Sequence, residues 1–192
     1  MNLTGFTSLA CSLVAISLAA CTDGSFVDQA SEIEGIYRVD VHRLNEAACE
    51  PGPAVTGTHA YAYAKRFQIR DFEYLAVYSC ESLEACRAAA AAGLPSGVTE
   101  FDFAVSDVDG AALVGEGASS GFVDGGICRA PEAWSTTLEL DGETLVVERA
   151  IRVGRDYAAV NGYCTTDKGA AAAEGMACSK LETLTATRIE AL

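Results

Sequence analysis

From Ile33 onward the chain alternates apolar and polar residues with a period of two, punctuated by Gly, Pro and Asp clusters. Successive side chains of a strand point to opposite faces, so this period predicts half-buried antiparallel strands separated by turns. In the first strand Ile33, Tyr37, Val39 and Val41 share one face, and Arg38, Asp40 and His42 share the other. In the second, His59, Tyr61, Tyr63, Phe67 and Ile69 alternate with Ala60, Ala62, Ala64, Arg66 and Gln68. Arg70-Asp71 then turns the chain into a third strand, Phe72 to Cys80. Further strands are expected near Val98 to Val105, Gly121 to Cys128, Trp134 to Leu140, Thr144 to Val153, Tyr157 to Tyr163 and Leu181 to Ile189. Asp109-Gly110 and Asp141-Gly142 are dipeptides that tolerate positive φ, which makes both hairpin turns.

Two Ala-rich segments break the alternation. Glu81 to Ala92 carries acids in its first turn and stops at Gly93 and Pro95, and Thr166 to Glu174 begins with Thr and Asp and ends at Gly175; both predict short helices. The expected fold is mainly β, an antiparallel up-and-down meander or barrel of about nine strands with two short Ala-rich helices. A barrel is preferred to a flat sheet because it leaves no open edge.

Ahead of this pattern, Phe6 to Ala20 is free of charge. That is the length of a signal h-region and shorter than the ~20 apolar residues of a spanning helix. Leu18-Ala19-Ala20 leads into Cys21, small residues before a thiol that accepts lipid. Met1 to Ala10 has no Lys or Arg, so the α-amino group supplies the positive end, and Ser8-Leu9-Ala10-Cys11 lacks the aliphatic residue three before its cysteine. Residues 1–20 are therefore expected to be a lipoprotein signal peptide, 21–32 the lipidated Cys21 with a flexible tether, and 33–192 a single domain. Thr22 to Glu32 is too polar to fold alone and reaches at most roughly 35 Å. Thr22 where an Asp would retain the protein in an inner membrane favours the outer membrane of a bacterial cell envelope.

Eight cysteines then sort themselves. Cys11 leaves with the signal and Cys21 takes lipid. Cys49, Cys80, Cys86, Cys128, Cys164 and Cys178 form an even set in an exported domain, which implies disulfides. Cys164 and Cys178 flank the second helix and are expected to pair. Of the three ways of pairing the other four, Cys80–Cys86 with Cys49–Cys128 is the expectation.

The net charge of −14 lies wholly beyond residue 21 and excludes nucleic acid as a partner, because Lys and Arg are what displace phosphate counterions. Gly117-Ala118-Ser119-Ser120-Gly121 matches the GxSxG pattern of hydrolases, yet no helix follows it and both histidines precede it. Gly115 to Gly126 reads instead as a flexible loop. No catalytic residue is assigned and no enzyme is expected. His42 falls on the polar face of its strand and is expected to be solvated; His59, near a strand end, is expected on a rim, bonded to a tyrosine or to backbone. The chain lacks CxxC and HxxxH, and Asp107-Val108-Asp109-Gly110 misses the third acidic position of a calcium loop, with Glu116 at the wrong interval. No metal and no cofactor is expected. Tyr61, Tyr63, Phe67, Phe101 and Phe103, with Phe72, Tyr74 and Tyr78, fall on adjacent strands and are expected to share one interior, as a packed core or a site for an apolar ligand.

Gly35-Ile36-Tyr37 resembles the Gly-x-Trp opening of lipocalin-type barrels, with Tyr in place of Trp, and Arg188 resembles the basic residue that packs over that aromatic. The resemblance implies that Tyr37 packs inward under Arg188, that the first and last strands pair, and that a small apolar ligand is carried. Cys49-Glu50-Pro51-Gly52-Pro53, the stretch from Tyr78-Ser79-Cys80 to Glu84-Ala85-Cys86, and Tyr163-Cys164-Thr165-Thr166-Asp167 through Ala177-Cys178-Ser179-Lys180 resemble Cys-rich lipoproteins of myxobacterial type. That likeness supports the architecture. The expected function is an exported, membrane-anchored structural or interaction module of the envelope, its partners the membrane, through lipid on Cys21, and an envelope protein. The alternative is a lipocalin-like carrier.

Overall fold

A computed structural model describes residues 25–93 and 99–192. The leader and Cys21 lie outside the described residues, as does Val98. The described chain opens with helix α1 (Phe26–Ile33) and continues through β1 (Gly35–Asn45), β2 (Tyr61–Ile69), β3 (Phe72–Cys80) and helix α2 (Leu83–Ala92). Next come β4 (Asp102–Val105), β5 (Asp107–Asp109), β6 (Ala112–Ser119), β7 (Phe122–Asp124) and β8 (Ile127–Arg129). The last elements are β9 (Glu132–Asp141), β10 (Thr144–Val153), β11 (Tyr157–Ala158), helix α3 (Thr166–Ala173) and β12 (Lys180–Ala191).

Nine of these strands make one sheet, ordered β4-β3-β2-β1-β12-β10-β9-β6-β5, with every neighbouring pair antiparallel. Its two edges, β4 and β5, are separated only by Ser106, so the strand that leaves β3 arrives at β6. The sheet is a nearly closed, up-and-down barrel in which the first strand pairs with the last. β7, β8 and β11 form a small separate sheet, tied to the start of α3 by Cys128–Cys164.

The barrel is filled. Tyr37, Leu75, Phe103, Leu113, Leu138, Leu145, Val147 and Leu184 are at most 1% exposed and belong to one cluster. Helix α1 closes one end, burying Ala30 and Ile33 in that cluster. Ser25 caps α1 through its side chain, which accepts from the Asp28 N–H. The tether expected to run through Glu32 is thus corrected: from Phe26 the chain is helical. Its two buried residues suffice once the open barrel end supplies their apolar partner, which the segment alone lacks.

Two further corrections follow from glycines. Ala112 to Ser119, expected to be loop at its glycine-rich end, is strand β6. A Cβ on Gly115 would lie 2.5 Å from the Ala104 carbonyl oxygen, and one on Gly117 would lie 2.5 Å from the Trp134 indole. These glycines serve close approach by β4 and by Trp134. The single strand expected over Gly121 to Cys128 is two strands, β7 and β8, turned by Gly125 and Gly126, both at positive φ.

The disulfides are Cys80–Cys86, Cys49–Cys178 and Cys128–Cys164. The expected Cys164–Cys178 and Cys49–Cys128 bonds are replaced. Asn45 pairs with Leu181 in the β1–β12 ladder, which carries the segments that follow β1 and precede β12 side by side and sets the Cys49 and Cys178 Cα atoms 5.6 Å apart. Cys128 on β8 sits opposite Tyr157 of β11, a few residues before Cys164.

Candidate functional site

The α1 end of the barrel is organised around Tyr37. Its ring is fully buried, and its hydroxyl donates to the Ile33 carbonyl and accepts from Arg188 Nε and Nη2 at 3.3 and 3.1 Å. The Arg188 guanidinium carbon lies 5.6 Å from the ring centroid, a cation–π distance. Arg188 also donates to the Glu32 carbonyl, fastening the last turn of α1. Burial raises the Tyr37 pKa, opposed by the hydrogen bond and charge of Arg188. Gly35 lets β12 come this close, since a Cβ there would lie 2.8 Å from the Glu190 carbonyl oxygen. The packing of Arg188 over Tyr37 and the β1–β12 pairing are the geometry implied by the Gly-x-aromatic opening. Tyr37→Phe keeps the ring and removes the hydroxyl, leaving the Ile33 carbonyl without its donor. The variant is expected to lose about 1–3 kcal/mol in urea unfolding; unchanged stability would show the hydroxyl to be idle.

Toward the opposite end the interior becomes polar. The β1–β12 register slips between Val39 and Val41, and a one-residue bulge exchanges the two faces of a strand. His42, rather than Val41, therefore turns inward beside Leu184. This corrects the expectation of a solvated histidine: His42 is 7% exposed and its ring centroid is 5.1 Å from that of Phe101. Its Nε2 donates to Glu182 at 2.8 Å, and its Nδ1 lies 3.4 Å from Thr58 Oγ1. The second oxygen of Glu182 accepts from Arg149, which also donates to the Asp102 carbonyl at 2.8 Å and lies 4.8 Å from the Phe103 centroid. Burial would raise the Glu182 pKa, but the His42 hydrogen bond and the Arg149 guanidinium outweigh it and hold the carboxyl below its ordinary value. Thr136, opposite Arg149, has a buried hydroxyl without a partner among the described residues.

Sequence reading missed Arg149 and Glu182, although a signal existed. Arg149 shares its strand face with Leu145, Val147 and Ile151, and Glu182 shares one with Leu184 and Ala186. Opposite charges on two apolar faces are a pairing signal. Chemically, the His42, Glu182 and Arg149 side chains form a network paired within itself. Each charged group spends its hydrogen bonds on another part of the barrel, linking β1, β10, β12 and the entry to β4.

The aromatic set does not share one interior. Phe101 and Phe103 lie inside, where Phe101 is positioned by Ser79 Oγ, which accepts from the Glu100 and Phe101 N–H groups. Tyr61, Tyr63 and Phe67 lie outside, beneath α2, with Tyr78, Cys86, Ala89 and Ala90. The inward positions of β2 are Ala62 and Ala64. Small residues belong there because Tyr37, Phe101 and Phe103 already fill that volume, and α2, held by Cys80–Cys86 and a Lys65 bond to the Ala90 carbonyl, covers the outer aromatics. Burial, with the neighbouring Tyr78, pushes the Tyr63 pKa up to about 12.

His59 bonds Ser79 Oγ through Nδ1 at 3.2 Å and faces Glu100 with Nε2 at 3.4 Å, rather than a tyrosine or backbone. Ser119 Oγ accepts from the Glu132 N–H at 3.2 Å. Its strand pairs with β9, remote in the sheet order from β1, which carries His42, and β2, which follows His59. Asp107 and Asp109 stand on β5, before the Gly110 turn. Two surface grooves are larger than the others found among the described residues. One, of about 560 Å³, lies between α3 and the β6–β9 pair and is lined by Glu116, Ala118, Trp134, Arg152, Ala171 and Glu174 among others. The other, of about 330 Å³, is lined by Ile69, Phe72, Tyr74 and Val105 with neighbouring residues of β4 and β6. Comparison with family models, curated proteins and solved structures finds no match to this chain.

Proposed function

We propose that this chain is an exported lipoprotein, attached to a bacterial envelope membrane through Cys21, whose barrel serves as a structural or interaction module. The observation that carries the reading is the cysteine bookkeeping: three disulfides account for all six cysteines after Cys21. The arrangement suits an oxidising compartment and leaves the lipobox thiol for lipid. The barrel interior argues for a module rather than a carrier, because Tyr37, Phe103, Leu113, Leu138, Leu145 and Leu184 occupy the space a small apolar ligand would take. Metabolic labelling with radioactive palmitate tests the anchor. The wild-type chain is expected to incorporate label and Cys21→Ser to lose it; label persisting in that variant overturns the assignment.

A further inference from the structure

We infer that the barrel rests on the membrane by its α1 end, with the β2–β3 hairpin tip set into the lipid interface; this rests on the lipidation of Cys21. The first support is chain length. Only four steps separate Cys21 from Ser25, the cap of α1, and four residues span at most about 14 Å. Helix α1 is itself fixed to the barrel, by the burial of Ala30 and Ile33 and by Gln29 Nε2 donating to the Gly110 carbonyl at 3.1 Å. A lipid on Cys21 therefore holds this end of the domain against the bilayer.

The second support is where the exposed apolar residues lie. Of eleven large apolar side chains strongly exposed among the described residues, five are at this end: Val27, Ile69, Phe72, Ile189 and Leu192. Most of the others belong to the small β7–β8–β11 sheet and the loops beside it. At this end Ile69 and Phe72 are the most exposed, at 59% and 56%. They flank the Arg70-Asp71 turn, with Arg70 in the left-handed region at φ 58°. Phe72 stacks on Tyr74, which stacks on Phe67, at centroid distances of 6.1 and 5.4 Å, so the tip is a supported ridge. Apolar side chains flanking a turn with one cation and one anion, Arg70 and Asp71, suit the boundary between acyl chains and zwitterionic headgroups. The net charge of −14 repels an anionic surface, which selects zwitterionic lipid as the partner.

The test uses the purified lipidated full chain in phosphatidylcholine vesicles. The chain's single tryptophan, Trp134, sits near the opposite end of the barrel, at the start of β9 opposite Ile151, and provides the internal control. Phe72→Trp adds a reporter at the tip, and Ile69→Trp provides a second should the first misfold. The added emission is expected to shift to the blue on vesicles and to be lost with lipids brominated near the headgroup, while the wild-type emission is unchanged. Emission that stays red-shifted and is quenched by aqueous iodide in a chain that still floats with vesicles overturns the docking alone. A wild-type chain that does not float overturns the anchor and the docking together.

Discussion

Replacing Cys49 and Cys178 together by alanine is expected to cost about 5 kcal/mol, the largest loss of any disulfide here. The bond closes a loop with a sequence separation of 129 residues, and the loop-closure entropy withheld from the unfolded chain grows with loop length. Cys80–Cys86, with a separation of 6, should contribute about 2 kcal/mol on the same basis. Urea unfolding of the two double-alanine variants under oxidising conditions measures the difference. Equal losses would mean that the unfolded chain is already compact around Cys49 and Cys178. The long bond also fastens the β1–β12 seam beyond the point where its ladder ends, at Asn45 and Leu181, so its loss should open that end of the barrel first.

Glu182→Ala is the second large effect, expected at about 3–5 kcal/mol, because it leaves the Arg149 guanidinium without its counter-ion and the His42 ring N–H without its acceptor. Replacing His42, Arg149 and Glu182 together by apolar residues of similar volume should cost far less, since no buried charge or polar group is then left without its partner. The contrast separates a network needed for stability from one needed only to balance itself. The folded pKa of Glu182 lies below its ordinary value. Its carboxylate therefore stabilises the fold above the unfolded value of about 4.3, and this contribution fades as the pH falls through the lower folded value. Acid unfolding of Glu182→Gln should lack that part of the pH dependence. An acid profile identical to wild type would show that other carboxylates govern it.

The architecture was legible where period two ran without interruption. β2 with β3 and β9 with β10 pair as sequence neighbours, β12 alternates cleanly, and the Gly-x-aromatic opening with Arg188 pointed to the closing pair. What could not be read was facing. In β2 the alternation of tyrosine with alanine is visible, but which set turns inward depends on the volume already claimed by Tyr37, Phe101 and Phe103 from distant parts of the chain. The bulge before Val41 has no local signature, and it reverses the meaning of every later residue of β1, His42 included. Helix α1 was hidden because two buried residues in eight look like a polar tether until the barrel end is in place. The glycines of β6 read as flexibility, although Gly115 and Gly117 are small for the sake of their neighbours. Of the cysteine pairs only the local Cys80–Cys86 could be read, since Cys49–Cys178 and Cys128–Cys164 follow the register of strands distant in sequence.

The pairing of β1 with β12 makes time part of this fold. Among the described strands, the first to emerge has its permanent neighbour in the last, and at ~5–20 residues per second of synthesis that neighbour is roughly 7 to 30 seconds behind. Until it arrives, β1 shows an open edge and the barrel cannot close. Oxidation follows the same clock. Cys178 is the last of the six cysteines to be made, after Cys80, Cys86, Cys128 and Cys164, so the native partner of Cys49 reaches it only with the closing strand.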